Sequence, residues 1–156
     1  SDLPAGAGSR RHFALALVQR GTVGTEDEAF EKYLRDEGPA FVKTQWMTLP
    51  EAMRFIRETE GVAVVAHPGR YNFAAPLTTI DLLEEFKALG GDAIEVTTGS
   101  HFEAENERYT RVALNMGFLA STGSDFHGCK PGRPEPGLQE PLPDYLPTVL
   151  DLLKDR

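Results

Sequence analysis

From residue 48 onward, segments with the apolar spacing of amphipathic helices alternate with short runs of apolar and β-branched residues. The helices are predicted over 48–60, 77–89, 103–116 and 144–153, and the strands over 62–66, 93–96 and 118–121. Helices that alternate with strands predict parallel strands joined by crossover helices. The pattern therefore predicts an α/β fold for this part of the chain.

Before residue 48 the pattern is helical only. Ser9 is a predicted N-cap of a helix that ends near Gly21, and Thr25 of a second helix that Gly38-Pro39 ends. An extended segment, 41–43, follows them. We therefore divide the chain into a small helical insert, residues 1–47, and a β/α part, residues 48–156.

Two of the predicted strands end in side chains that can bind metals. His67 follows the first strand, and Asp125-Phe126-His127 follows the third. In α/β folds with parallel strands, catalytic and ligand-binding residues lie at the carboxyl ends of the strands. Side chains two residues apart in an extended segment share a face, so Asp125 and His127 are expected to reach one cation together. Mixed histidine and carboxylate ligands favour Zn, Mn or Fe over Ca or Mg alone.

Two arginine groups are candidates for binding an anion. Arg70, followed by Tyr71, lies in the loop directly after His67, and a guanidinium suits phosphate or carboxylate. A surface ion pair is an equally good interpretation of Arg70. Arg10 and His12 stand at the start of the first helix, where a solvated helix end is the simpler interpretation.

Two further polar residues belong to the second predicted strand and the loop after it. Glu95 lies within the strand, where an unpaired carboxylate is costly, so we expect it to have a partner in the site or to face outward. His101 follows Gly99-Ser100, and it either lines the pocket or caps the next helix.

Composition narrows the class of protein. The net charge is −8, from 24 acidic and 16 basic residues, which argues against a broad basic face for nucleic acid but permits a local arginine cluster. The single cysteine, Cys129, and the lack of an apolar run of ~20 residues indicate a cytoplasmic protein with no membrane partner. The chain does not begin with Met, and we expect it to be a piece of a longer one.

The segments Ala66-His67-Pro68-Gly69-Arg70-Tyr71-Asn72 and Gly123-Ser124-Asp125-Phe126-His127 resemble the PHP (polymerase and histidinol phosphatase) family of metal-dependent phosphoesterases. Within it the chain resembles the branch of nucleotide phosphoesterases and 5′-to-3′ exoribonucleases that act on short RNA and 3′,5′-bisphosphonucleotides. Residues 10–14, 32–34, 45–46 and 61–67 also resemble that branch. The resemblance therefore covers nearly the whole chain.

The resemblance implies a distorted (β/α)7 barrel with several divalent metal ions, most often Mn2+, with Zn2+, Fe2+ or Mg2+ as alternatives. His67, Asp125 and His127 match metal ligands, and Asp125, His127 and Arg70 are the implied catalytic residues. The residues expected to contact a nucleotide or short RNA substrate are Arg70, Arg10, His12, Tyr71 and His101. The helical insert would cover the site.

The family's first motif, His-x-His, and its second motif, with further His and Glu ligands, have no counterpart in this sequence. The chain therefore resembles the C-terminal part of a PHP barrel, and we expect it to be inactive by itself. Missing strands would leave an open sheet edge, which predicts self-association or retention of the N-terminal part of the polypeptide.

Two other functions remain open at this point. One is a non-catalytic remnant or nucleotide-binding module, and the other is a barrel amidohydrolase acting on C–N bonds. Retention of His67, Asp125 and His127 together argues against a remnant. Arg70 beside the metal motif favours an anionic phosphoester over a neutral amide.

Overall fold

The computed structural model of the chain describes residues 8–43, 45–129 and 131–154. The chain forms two compact units, Ser1–Trp46 and Met47–Arg156. The assignment of the first as a cap and the second as part of a barrel stays a prediction.

The first unit is helical. Helix α1 spans Arg10–Gln19 with Ser9 as its N-cap, and α2 spans Glu26–Ala29 and continues as a π-helical turn, Phe30–Leu34. Thr25 caps α2, since its hydroxyl accepts the Glu28 N–H at 3.1 Å. The small core of this unit consists of Ala14, Val23, Ala29 and Leu34. Residues 41–43 form neither helix nor strand.

The second unit is an α/β structure, as the sequence predicted. Its helices are α3 (Leu49–Glu58), α4 (Thr79–Ala88), α5 (Glu103–Met116) and α6 (Val149–Lys154). Its strands are β1 (Val64–Val65), β2 (Ala93–Thr98) and β3 (Leu119–Gly123). The strands form one parallel sheet in the order β1-β2-β3. Closure of this sheet into a barrel stays a prediction.

The core of the second unit lies between the sheet and helices α4 and α5. Leu83 and Phe86 of α4, Ile94 of β2 and Tyr109 of α5 are at most 3% exposed, as is Phe118 just before β3. The rings of Phe86 and Phe118 stack with their centres 5.8 Å apart. This packing holds the strands in register, and it therefore fixes where their carboxyl ends lie.

The last helix begins later than predicted, at Val149 rather than at residue 144. The cause is a tertiary contact of the preceding segment. The Ala120 N–H of β3 donates to the Pro147 carbonyl at 2.8 Å, and Ala120 pairs with Thr148 in a parallel bridge. Residues just before α6 therefore lie along the edge of β3, and the helix starts only after them.

Asp151 stabilises the start of α6, and its protonation should weaken that helix end. Its carboxylate accepts the Thr148 N–H at 2.9 Å and the Thr148 hydroxyl at 2.8 Å, and Lys154 lies at 3.1 Å. These bonds lower the pKa of Asp151 from 3.8 to about 2. Its stabilising effect is therefore complete above pH 3.8 and is lost as the pH falls through about 2.

An NMR titration of the Asp151 carboxyl carbon measures this directly. In Thr148→Ala the hydroxyl bond is lost, and we expect the pKa of Asp151 to rise toward its ordinary value. An identical midpoint in both proteins would contradict the assignment.

Candidate active site

The carboxyl ends of all three strands lie at one edge of the sheet because the strands are parallel. β1 leads to His67, β2 to Gly99, Ser100 and His101, and β3 to Ser124 and Asp125. The alternation of helix and strand read from the sequence therefore brings the predicted site segments to a common edge.

His67 and Asp125 share an unusual backbone conformation. Both are left-handed, with φ of +33° and +46°, a region that non-glycine residues rarely adopt. Such conformations persist where the surrounding structure holds them, and they are frequent at functional sites. The two predicted metal ligands that directly follow strands are thus held in strained positions.

Asp125 and His127 contact each other, but not for the reason read from the sequence. Strand β3 ends at Gly123 and Asp125 is left-handed, so side-chain alternation along a strand does not place the pair, and that reasoning was wrong. The Asp125 Oδ1 atom lies 3.4 Å from Nδ1 of His127. The same Nδ1 donates to the Asp125 backbone oxygen at 2.9 Å, so in the neutral ring Nε2 carries the lone pair that a metal ion requires.

Glu95 links the ends of β1 and β3. Its Oε2 atom accepts the His67 N–H at 2.6 Å. Its Oε1 atom packs so closely on Gly123 that a Cβ there would overlap it. The register between β2 and β3 shifts between Glu95 and Thr97, a bulge of the kind found beside active sites. The partner that we expected for the Glu95 carboxylate is therefore the backbone N–H of His67.

Arg70, Asp125 and His127 line one cavity of about 230 Å³. The other described residues that line it are Gly99, Ser100, Ser124, Phe126, Gly128, Arg133 and Pro134. The Arg70 side chain is exposed, and among the described residues it has no carboxylate partner, so the surface ion pair is not the better interpretation.

His67 and Tyr71 lie at the end of β1. Their rings meet edge to face with centres 5.8 Å apart, and burial together with the charge of Glu95 raises the pKa of Tyr71. Nδ1 of His67 is buried and has no hydrogen-bond partner within the described part of the chain. A buried polar atom without a partner is costly, and a ligand would satisfy it.

The donor types at this edge suit a transition metal: a partnerless imidazole nitrogen at His67 and a carboxylate beside a second imidazole at Asp125 and His127. However, residues 8–43, 45–129 and 131–154 contain no group of three or more His, Cys, Asp or Glu side chains placed to hold one ion. The assignment of these three residues to a metal stays a prediction, and a complete site requires further ligands.

His101 is buried and holds the loop that carries His67 and Arg70. It is 8% exposed, and its ring stacks on Tyr109 with centres 5.3 Å apart. Its Nε2 atom accepts the Gly69 N–H at 2.9 Å, and a Cβ on Gly69 would overlap the ring. Its Nδ1 atom lies 3.4 Å from the Val96 carbonyl. These contacts position the loop, and contact of His101 with a substrate stays a prediction.

Burial lowers the pKa of His101 below 6.5, which makes stability depend on pH. As the pH is lowered, His101 takes up a proton at a higher pH in the unfolded chain than in the folded one. His101 therefore stabilises the fold fully above pH 6.5 and loses that effect as the pH falls below it. We expect the urea concentration at the unfolding midpoint to decrease as the pH is lowered from about 7.5 to about 5. In His101→Gln, whose amide oxygen can accept the Gly69 N–H, the fall should be smaller, and an equal fall would contradict this role.

Arg10 and His12 belong to the first unit, and both make local contacts there. Arg10 lies 3.5 Å from the Asp36 carboxylate at an exposed position. Nδ1 of His12 accepts the Ser9 N–H at 3.0 Å, which completes the cap of α1. Their contact with a substrate phosphate stays a prediction.

Arg133 and Ser100 line the cavity and were not among the residues predicted from sequence to form the site. Arg133 belongs to a Pro- and Gly-rich loop, 131–143, in which neither periodicity nor a strand end distinguishes one side chain from another. Ser100 precedes His101 in a turn, and its sequence context resembles that of an ordinary turn serine. Only the folded structure places them beside Arg70.

No protein-family model matches this sequence. Over 135 residues the chain is 41% identical to a 3′,5′-nucleoside bisphosphate phosphatase of Chromobacterium violaceum, a match that covers 86% of the chain and 47% of that protein. Over 122 residues it is 38% identical to the 5′-3′ exoribonuclease Rnm of Escherichia coli, covering 78% of the chain and 41% of that protein. Both relatives are, by name, enzymes that hydrolyse phosphoester bonds.

Two solved structures are similar to 94% of the chain. One is an amidohydrolase from Chromobacterium violaceum with bound sulfate and no metal, at a TM-score of 0.78 and 37% identity, half of whose chain is covered. The other is a candidate metal-dependent phosphoesterase from Bifidobacterium adolescentis, at a TM-score of 0.67 and 26% identity, with 49% of its chain covered. The chain thus spans about half the length of the proteins it matches.

Proposed function

We propose that this chain is part of a metal-dependent phosphoesterase of the PHP type that hydrolyses phosphoester bonds of nucleotides or short RNA. The observation that carries the proposal is the meeting of Arg70 with the Asp125–His127 pair on one cavity at the carboxyl edge of a parallel sheet. The sequence similarity to a bisphosphate phosphatase and to an exoribonuclease supports the same chemistry.

His67, Asp125 and His127 are the residues that would hold divalent metal, with manganese as the first candidate and zinc, iron or magnesium as alternatives. When bound, metal supplies positive charge that lowers the pKa of water and stabilises charge on the phosphoryl oxygens. Arg70 binds those oxygens through its planar pair of N–H donors. Glu95 accepts the backbone N–H of His67 and so holds the chain at the position from which this side chain projects.

An amidohydrolase acting on C–N bonds is the second candidate, because one structural relative bears that description. Arg70 makes no ion pair with a carboxylate of the described residues, and a phosphoester would give its guanidinium an anionic partner that a neutral amide would not. The sulfate held by that relative also supports an anionic ligand. A non-catalytic nucleotide-binding module would bind nucleotides without turnover.

One structural finding bears on the prediction that the protein has no membrane partner. No helix among the described residues is long and apolar enough to cross a bilayer. Residence in the cytoplasm, self-association of the isolated chain and retention of a missing N-terminal part stay predictions.

A substrate panel distinguishes the candidates. The full-length gene product, loaded with manganese, is expected to release phosphate from adenosine 3′,5′-bisphosphate or mononucleotides from 5′-phosphorylated RNA, and to leave cyclic amides intact. The isolated 156-residue chain should show no multiple turnover because its described residues do not assemble a three-ligand group. Hydrolysis of amides alone would favour the second candidate, and nucleotide binding without turnover would favour the third.

A further inference from the structure

The carboxylate of Glu95, on the central strand β2, contacts the ends of both neighbouring strands. Each of those strands ends two residues before a predicted metal ligand, β1 at Val65 before His67 and β3 at Gly123 before Asp125. A role of Glu95 in the reaction therefore rests on the proposed function, because it would act through these ligands.

On the side of β1, Glu95 binds the backbone where the pairing of the strands has ended. Among the described residues β1 pairs with β2 only at Val64 and Val65, so the His67 N–H lies beyond the paired positions. This N–H donates to Oε2 of Glu95 at 2.6 Å, and hydrogen bonds to a charged acceptor are about twice as strong as neutral ones. His67 is left-handed, with φ of +33°, a conformation that persists only where neighbouring groups hold it. The carboxylate supplies such a contact.

On the side of β3, the carboxylate fits against a glycine whose backbone does not require one. Gly123 is not among the described glycines with positive φ. A Cβ at this position would overlap Oε1 of Glu95, so the lack of a side chain is what admits the carboxylate. The register of β2 and β3 also shifts between Glu95 and Thr97, and bulges of this kind re-aim side chains beside active sites. The carboxylate is therefore confined between the His67 N–H and Gly123.

Stability alone does not require a carboxylate in this strand. The flanking residues Ile94 and Val96 are fully buried, and side chains of that type stabilise a strand without removing a charge from water. Around metal sites, in contrast, groups that hold a ligand in place without binding the metal contribute strongly to affinity. The position of Glu95 fits such a role.

We propose that Glu95 is a positioning residue of the active site, which contacts neither metal nor substrate and fixes the His67 backbone relative to the end of β3. Because Asp125 and His127 lie within four residues of that end, the same carboxylate sets the relative position of all three predicted metal ligands. Its hydrogen bond, rather than its charge, is what the site uses. Loss of the bond frees His67 to leave its left-handed conformation, which moves the point from which its side chain projects.

The test compares Glu95→Ala with Glu95→Gln in the full-length protein, because glutamine keeps an acceptor for the His67 N–H and loses the charge. For Glu95→Ala we expect manganese affinity, measured by calorimetry, to fall on the order of 10- to 100-fold, the loss typical when a group that holds a metal ligand is removed. Glu95→Gln should retain most of the affinity. Glu84→Gln, which changes an exposed carboxylate on α4, is the matched control.

The amide proton of His67, observed by NMR in protein labelled with 15N-histidine, gives a readout that depends on neither metal nor turnover. A short bond to a carboxylate shifts this proton downfield, so it should move upfield in Glu95→Ala and move little in Glu95→Gln. Gly123→Ala is an independent variant that keeps Glu95, since the added Cβ displaces the end of its flexible side chain. It should move the same proton upfield and weaken manganese binding in the same direction.

Three outcomes would overturn the positioning role. Equal losses of manganese affinity in Glu95→Gln and Glu95→Ala would assign the effect to the charge. Unchanged manganese affinity and kcat in Glu95→Ala would remove Glu95 from the site and leave the phosphoesterase proposal intact. A wild-type protein that neither binds manganese nor hydrolyses nucleotides overturns both proposals.

Discussion

Replacing Asp125 by asparagine is expected to lower kcat/KM of the full-length protein on nucleotide phosphoesters on the order of 10²- to 10³-fold, the loss typical of a charge-stabilising group in an active site. The substitution removes the negative charge beside His127 and in the cavity that Arg70 lines. Asparagine tolerates the left-handed backbone that Asp125 adopts, so stability should change little.

Two further variants separate charge from backbone. Asp125→Ala loses the charge and also places alanine at a φ of +46°, so it should be as inactive as Asp125→Asn and in addition less stable by about 1 kcal/mol. Asp144→Asn removes an exposed carboxylate outside the cavity and should leave turnover unchanged. Full activity in Asp125→Asn would remove this residue from the site. Steady-state kinetics and urea unfolding measure the two effects.

Gly99→Ala is expected to reduce the free energy of unfolding by about 1–3 kcal/mol, the usual cost of overpacking. The added Cβ would meet the carbonyl oxygen of Ser124, which is backbone and cannot rotate away. The turn after β2 would have to separate from the end of β3, and the Gly99–Gly123 hydrogen bond would weaken with it. Activity of the full-length protein should fall as well because Asp125 directly follows Ser124.

Gly24→Ala is the matched control for that change. Its Cβ would meet only the flexible carboxylate of Glu28 at 3.4 Å, an ordinary contact. Chemical denaturation of both variants and amide NMR shifts at Ser124 and Asp125 provide the measurement. Equal stability of the two variants, with unmoved shifts at Asp125, would show that the close approach at Gly99 does not hold the site.

The elements that could be predicted are those specified by local sequence. Helix α5 has the predicted bounds, 103–116, because Gly117 ends it in a left-handed cap with φ of +66°. The start of α3 is set by Thr48 and Glu51, which form both bonds of a capping box. The α/β class could be predicted because segments with the apolar spacing of helices alternate with short strand-like apolar runs. That pattern depends only on residues close together in the sequence.

The details of the site depend on residues distant in sequence. The bond from His67 to Glu95 joins positions 28 residues apart, and that from Arg133 to Gly99 joins positions 34 apart. Strand β3 ends at Gly123 and the backbone of Asp125 is left-handed, whereas the sequence suggested that the segment stays extended through Asp125. No local pattern contains these contacts, so the sequence indicated which residues were candidates but not how they are held.

The proposed function is best tested by phosphate release from adenosine 3′,5′-bisphosphate by the full-length, metal-stripped protein before and after addition of manganese, with Arg70→Ala as the paired variant. The proposed function predicts release that depends on metal and that falls on the order of 10²-fold when the Arg70 guanidinium is removed from the cavity. Absence of release with every divalent metal tried, or release that is unchanged in Arg70→Ala, would contradict it.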